Sequence, residues 1–194
     1  GNIARVTAPF PPIEPPFVTY SNFGAGLWDP FSRQIVPEVK ELALERGLTV
    51  SRYPGGNGAV FHNWKDAVGA LNDRPTYQFG LVEFLITCEE IGAEPLITIS
   101  SITGDFQDYM DLVEYLNLPP DAGNDWAQIR AAHGYPAPFG VTYFEFDNEA
   151  FLPRGDFLMR PEVYAENFNT VVGAMKSVDS TIQVGVVSYH LDPE

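Results

Sequence analysis

The sequence predicts an α/β protein built on a parallel sheet. Stretches rich in β-branched and aromatic residues alternate with apolar residues at helical spacing, in the order β-α-β-α-β-α-β-α-β. Such strict alternation demands parallel strands joined by right-handed crossovers. An open doubly wound sheet and part of a (β/α)8 barrel both satisfy it. The strands are expected at 17–23, 48–53, 94–100, from 141 onward and at 182–189, and the helices at 35–46, 79–91, 105–116 and 161–178.

Local signals define the ends of these elements. Residues 1–16 are rich in proline and are expected to form an extended lead-in, followed by one domain over 17–194. Gly47 follows the first helix where a C-terminal cap belongs, and Pro161 suits the first turn of the last helix. A short helix is expected at 125–132, inside an otherwise irregular insertion.

Composition excludes several classes of partner. The 194 residues suffice for one domain with a sizeable core, and their net charge is -15. This charge makes nucleic acid and anionic membrane surfaces poor partners. Cys88 is the single cysteine, so neither an internal disulfide nor a zinc cluster is expected. No phosphate-binding glycine motif follows the first strand, and no cofactor is expected. Both a secreted and a cytoplasmic location remain open.

The segment that begins at Val141 combines strand-forming residues with acids. A strand alternates with period two, and one face would carry Tyr143, Glu145, Asp147 and Glu149. The other face would carry Phe144, Phe146 and Asn148. Because burying unpaired acids is costly, the acidic face is expected to look into a polar cavity. An edge strand with a solvated acidic face is the alternative.

Polar and aromatic residues gather just after the predicted strands end, which is where sites form in both candidate architectures. The clusters lie at 52–64, 100–105, 148–151 and 189–190.

Three segments within these surroundings resemble motifs of clan A glycoside hydrolases, most closely the α-L-arabinofuranosidases of family 51. Arg-Tyr-Pro-Gly-Gly-Asn at 52–57, with His-Asn-Trp-Lys-Asp at 62–66, looks like their second-strand signature. Residues 88–95 look like the exit from the second helix, and 143–149 are similar to the Asn-Glu motif on the fourth strand. The resemblance covers the chain from about residue 17 onward. It implies a TIM-barrel type (β/α)8 fold of which the first five strands and four helices are present, as a half-barrel or fragment.

The resemblance also implies a retaining hydrolase that cleaves O-glycosidic bonds of plant-type polysaccharides or oligosaccharides. Glu149 matches the general acid/base, which protonates the leaving oxygen and then accepts a proton from water. Neighbouring Glu145 and Asp147 would favour its protonated form by like-charge repulsion. Asn148 matches the residue that binds the sugar 2-hydroxyl. Arg52 matches an arginine that braces the nucleophile, although it could equally neutralise Glu145.

Four further residues complete the predicted substrate site. Asn57 matches a substrate-contacting position, and Trp64 could form a wall of the cleft or cap the core instead. Tyr189 and His190 are included because they follow the fifth strand.

Departures from the family pattern limit this prediction. The first-strand acidic motif is missing at 23–29, and Asp147 stands where the family usually has glycine. The family nucleophile is a glutamate on a seventh strand, for which these residues offer no counterpart. The chain alone is therefore expected to be inactive or very weak. It would be a fragment, would pair as a homodimer or with a C-terminal half, or would be a non-catalytic carbohydrate-binding or interaction half-barrel.

Overall fold

The computed structural model describes residues 28–29, 31–74, 79–121, 123–152 and 159–188. The chain divides into two compact units. One combines the residues up to Ser51 with Lys65–Glu94, and the other combines Arg52–Trp64 with the residues from Pro95 onward. The predicted first strand, 17–23, lies outside the described residues.

The first unit contains a short antiparallel strand pair and two helices. Strand β1, Trp28–Asp29, pairs with β2, Gln34–Ile35. Helix α1 covers Pro37–Glu45 and packs against α2, Leu81–Ile91. The apolar core of this unit contains Ile35, Ile91 and Ala93 together with Val39, Ala43 and Leu48.

Helix α1 begins later than the predicted start at residue 35. Pro37 occupies the first turn, and Val36 before it has an extended ψ of 125°. A proline disfavours helical backbone at the residue that precedes it, so Ile35 is released to form β2. The strand pair was not predicted because two-residue strands leave no periodic signal.

A buried ion pair fixes the start of α2. The guanidinium of Arg74 donates to the carboxylate of Glu83 over 2.7 Å and to the carbonyl of Ala67 over 2.9 Å. Glu83 also accepts the backbone N–H of Gly80 over 3.0 Å, which caps the helix. These bonds tie the connection before α2 to its first turn.

A four-stranded sheet has the strand order β3-β4-β5-β6, and most of its residues belong to the second unit. The strands cover Val50–Tyr53, Glu94–Ile99, Tyr143–Phe146 and Gln183–Val186. The β4–β5 and β5–β6 pairs are both parallel. The predicted parallel α/β arrangement is thus confirmed for β4, β5 and β6, although β5 ends at Phe146, before the predicted acidic face is complete.

Three α-helices belong to this unit. Helix α3, Phe106–Asn117, packs against both α4, Asp125–Ala132, and α5, Pro161–Val178. The bounds of α4 and α5 coincide with the predicted ones. Helix α3 starts after Asp105, whose carboxylate accepts the Asp108 backbone N–H over 3.1 Å.

The described part of the connection between β3 and α2 contains 3₁₀ turns. They cover Gly56–Phe61, Trp64–Ala67 and Leu71–Asp73. Turns this short contain too few residues for a periodic pattern.

One guanidinium organises the segment between α3 and β5. Arg130 is fully buried, and it donates to backbone carbonyls in the last turn of α3 and just beyond the ends of α3 and α4. Helix C-termini leave such carbonyls without intrahelical partners, so a buried donor there fixes the loop. The acceptors are the carbonyls of Tyr115, Leu118, Tyr135 and Pro136. Among the described helices, none is long and apolar enough to cross a membrane.

Candidate active site

The polar residues at the ends of β3, β4 and β5 form one hydrogen-bonded cluster inside the second unit. Arg52 contributes from β3, Thr98 from β4 and Glu145 from β5. Ligands of parallel α/β sheets bind at the carboxyl ends of the strands, so this cluster is the candidate site.

Arg52 is the centre of this cluster. Its Nε donates to Oε2 of Glu145 over 2.5 Å, and its Nη2 donates to Oδ1 of Asn148 over 3.1 Å. The hydroxyl of Thr98 donates to the same Glu145 oxygen over 3.2 Å. The side chains of Arg52 and Glu145 are only 32% and 22% exposed, so their charges meet largely away from water. The predicted neutralisation of Glu145 by Arg52 is therefore found.

The predicted division of faces is correct within β5 and wrong beyond it. Phe144 and Phe146 are buried while Glu145 is not, as a period of two requires. The strand ends at Phe146, and both Asp147 and Glu149 have left-handed backbone, with φ of 73° and 47°. Left-handed backbone at these two residues ends the alternation of side chains between the two faces of the strand. Asp147 is accordingly fully buried while Glu149 is exposed.

Asn148 shows the same departure from the predicted faces. Because it shares Arg52 with Glu145, its side-chain oxygen lies on the Glu145 side rather than with the buried phenylalanines. The left-handed residues on either side of it explain this change.

The buried carboxylate of Asp147 accepts two donors. The hydroxyl of Ser101, in the loop after β4, donates to Oδ2, and the backbone N–H of Asn148 donates to Oδ1 over 2.6 Å. The backbone N–H of Asp147 in turn donates to the Ile99 carbonyl over 2.7 Å. The turn after β5 is thus attached to the end of β4.

Two tyrosines brace the ends of these strands. Tyr109 donates to the Ser100 carbonyl over 2.8 Å, and burial raises its pKa to about 12, with the charges of Asp147 and Asp108 acting in the same direction. Tyr164 donates to the Phe146 carbonyl over 2.7 Å and accepts the Val187 N–H over 2.9 Å.

Burial is also the largest cause of the raised pKa of Tyr164, opposed by the Val187 hydrogen bond and supported by Asp147 and Glu145. Tyr109 and Tyr164 therefore keep their protons at neutral pH and act as donors.

The other predicted site residues lie in different surroundings. Asn57 is exposed in the 3₁₀ turn after β3. Trp64 is 9% exposed, and its indole N–H donates to the Asp108 carbonyl over 3.0 Å. Its ring packs against Trp126, with centroids 4.9 Å apart. These contacts favour the core-capping role of Trp64, and a sugar contact stays a prediction. Tyr189 and His190 lie outside the described residues.

His62 is a buried residue that follows the 3₁₀ turn Gly56–Phe61. Its ring meets the edge of Tyr53 with centroids 5.4 Å apart. Burial lowers the pKa of His62 to about 4, which keeps the imidazole neutral at physiological pH.

Thr98, Ser101 and Tyr164 are members of the cluster that motif matching did not find. Ser101 falls within the polar stretch at 100–105, so its place just after a predicted strand could have indicated it. Thr98 and Tyr164 lie inside a strand and a helix, where nothing in the sequence separates them from ordinary structural residues. Within the described ranges, no group of His, Cys, Asp and Glu side chains is placed to hold a metal ion.

The family model and the two relatives described here are all named as alpha-L-arabinofuranosidases. The family model for the alpha-L-arabinofuranosidase 1 domain matches residues 44–192. The intracellular exo-alpha-(1->5)-L-arabinofuranosidase of Streptomyces lividans is 32% identical over 160 residues, covering 76% of this chain and 24% of that protein. The probable alpha-L-arabinofuranosidase C of Aspergillus terreus is 31% identical over 177 residues, with coverages of 81% and 34%.

Solved structures show the same likeness. The alpha-L-arabinofuranosidase of Thermotoga maritima, crystallised with arabinose, superposes with a TM-score of 0.76 at 30% identity, covering 84% of this chain and 35% of that one. The family 51 enzyme of Bifidobacterium longum gives a TM-score of 0.76 at 28% identity, with coverages of 83% and 35%.

The α/β fold with polar side chains at its strand ends agrees with these structures, and the comparisons give the class as that of the glycoside hydrolases. Within that class, the chain belongs to the α-L-arabinofuranosidase family, glycoside hydrolase family 51. It spans 24% and 34% of the length of the two curated relatives, and its fold corresponds to their N-terminal part.

Proposed function

We propose that this chain supplies the acid/base half of the active site of a retaining, arabinofuranosidase-like glycoside hydrolase. Its substrates would be O-glycosides of plant-type polysaccharides or oligosaccharides. The observation that carries the proposal is the bridge from Arg52 to Glu145 and Asn148 at the carboxyl ends of the strands. Glu149, next to Asn148, is exposed at the same edge.

The chemistry assigned to these residues follows from their groups. Glu149 would protonate the departing glycosidic oxygen and then take a proton from the incoming water. Its exposure supports this role, because both the substrate and the water must reach it. The Asn148 amide nitrogen is a donor and suits a sugar hydroxyl oxygen. Arg52 would orient that amide through Oδ1. Asn57, Tyr189 and His190 remain proposed substrate contacts, whereas for Trp64 the core-capping role is preferred over a wall of the cleft.

A retaining mechanism needs a second carboxyl group about 5–5.5 Å from the first, across the scissile bond. Asp147 is fully buried, and Glu145 is bound by Arg52 and Thr98, so neither suits a nucleophile. We therefore propose that the nucleophile lies outside this cluster and is supplied by the half that completes the barrel. A full (β/α)8 barrel would then be completed by a C-terminal half or by a second copy of the chain.

The direct test replaces Glu149 with glutamine in the assembly that contains the completing half. Turnover of aryl α-L-arabinofuranosides and xylosides is expected to fall by about 10²–10⁴-fold, as for loss of a general acid/base. The matched control is Glu162→Gln, which neutralises an exposed glutamate on α5. Unchanged turnover in Glu149→Gln would remove this residue from the mechanism.

A second measurement separates the enzyme from a carbohydrate-binding module. The chain alone is titrated with L-arabinose and followed by NMR, and its intact mass and assembly state are recorded. Binding without hydrolysis, even after a completing partner is added, would favour the non-catalytic function.

A further inference from the structure

The short turn that carries Asn148 and Glu149 has an unusual backbone. Asp147 and Glu149 both have positive φ, and neither is glycine. L-residues other than glycine rarely adopt this conformation, although asparagine and aspartate tolerate it best. Glycine would reach a φ of 73° at position 147 without strain. The side chain present there therefore calls for a physical reason.

Hydrogen bonds that the Asp147 carboxylate accepts explain why an aspartate is present. One oxygen accepts the Ser101 hydroxyl, from the loop after β4, and the other accepts the Asn148 backbone N–H over 2.6 Å. The Asp147 backbone N–H is itself bound to Ile99, the last residue of β4. A single side chain therefore connects the turn after β5 to the neighbouring loop.

The same hydrogen bonds bear on the position of the Asn148 side chain. Asn148 is 94% buried, and its Oδ1 accepts from Arg52 over 3.1 Å, which requires its backbone to be held in one orientation. The Asp147 carboxylate holds the N–H of that same residue. Ser101 is thus linked to Arg52 through Asp147 and Asn148, by contacts that are each within hydrogen-bond distance.

We propose that Asp147, held by Ser101, is a positioning residue that sets the orientation of Asn148 toward Arg52. The use of that orientation, to present Asn148 and Glu149 to a sugar, rests on the proposed function. The coupling between Ser101 and Asn148 does not, and it is measurable without any sugar.

The test is a double-mutant cycle in this chain, read by NMR. The probes are the Asn148 side-chain amide and the Arg52 Nε–H resonances. Ser101→Ala is expected to shift both, whereas Ser101→Thr, which keeps the hydroxyl, is expected to leave them close to wild type. In an Asp147→Gly background, Ser101→Ala should have no further effect, because its acceptor is absent.

Two results would overturn the proposal. One is that Ser101→Ala leaves the Asn148 and Arg52 resonances in place. The other is that it moves them equally with and without the Asp147 carboxylate. If Asp147→Gly does not fold, Ser101→Cys decides, since a thiol fills the space of the hydroxyl but is only a weak donor: a purely steric role predicts wild-type resonances in Ser101→Cys, and the hydrogen bond to Asp147 predicts shifted ones.

Titration with L-arabinose tests whether this positioning affects sugar binding. Ser101→Ala is expected to weaken binding about three- to tenfold, the effect of one net hydrogen bond, and Ser101→Thr to restore it. Equal affinity in the wild type and Ser101→Ala would contradict the positioning role. If the wild-type chain alone does not bind arabinose, the titration is made on the assembly that contains the completing half; failure to bind there would count against the proposed function, while the resonance shifts would still decide the coupling.

Discussion

Arg52 and Glu145 are 93 positions apart in sequence, yet Nε of Arg52 lies 2.5 Å from Oε2 of Glu145. The same guanidinium reaches Oδ1 of Asn148 at 3.1 Å. A planar guanidinium can serve two acceptors at once in fixed directions, which an ammonium group on a flexible stem cannot do equally well. This bridge orders the candidate site.

Replacing Arg52 with lysine tests the bridge. The free energy of unfolding is expected to fall by about 1–2 kcal/mol, because lysine keeps the charge but not the two-pronged geometry. Urea unfolding measures the change. Arg160→Lys, at an exposed position before α5, is the matched control and should leave stability unaltered. A wild-type stability in Arg52→Lys would show that the bridge contributes little.

His62 is expected to make stability depend on pH. Burial lowers its pKa to about 4 in the folded chain, from an ordinary value of 6.5. The unfolded chain therefore binds the proton first as the pH falls, and the contribution of neutral His62, complete above 6.5, is lost progressively between 6.5 and 4. The loss amounts to about 3 kcal/mol.

The measurement compares unfolding free energies of the wild type and His62→Phe from pH 7.5 to pH 4. Carboxylates titrate in both proteins, so only the difference between the two curves reports the imidazole. Parallel curves would mean that His62 does not titrate as its burial requires.

Trp64→Phe distinguishes the two roles suggested for this side chain. The indole is buried, donates its N–H to Asp108 and packs against Trp126. We expect a loss of about 1–3 kcal/mol in unfolding free energy, with unchanged affinity for L-arabinose. A folded Trp64→Phe variant with weakened sugar binding would restore Trp64 as a wall of the cleft.

The Cys88 thiol is expected to be unreactive in the folded chain. Its side chain is buried, and this burial raises the pKa to about 12, with the charge of Glu94 acting in the same direction and a Ser51 hydrogen bond opposing it. The thiolate is the reactive form, so labelling with a disulfide reagent at pH 8 should occur only after denaturant is added. Labelling of the native chain at the denatured rate would contradict the buried position.

Elements with strong local signals were predictable from the sequence. Helix α5 begins at Pro161, a residue suited to the first turn, and both α4 and α5 lie at their predicted bounds. The Arg-Tyr-Pro-Gly-Gly-Asn and Asn-Glu motifs were sufficient to indicate the family, which the comparisons confirm. Such signals lie within a few residues of one another, so they need no knowledge of the folded chain.

The surroundings of Asp147, Asn148 and Glu149 were not predictable in this way. Strand periodicity assigns Asp147 and Glu149 to one face, but the backbone turns left-handed at both. What favours that turn is a set of partners distant in sequence, including Ser101 and Arg52.

The sequence by itself determined the order of β3 to β6 and of the helices, the family and the identity of the acidic residues near the site. Only the tertiary structure decided which acid is buried, which is exposed and which amide Arg52 holds. Spacing along the chain records local backbone preference, whereas hydrogen bonds between β3, β4 and β5 depend on residues brought together by the sheet.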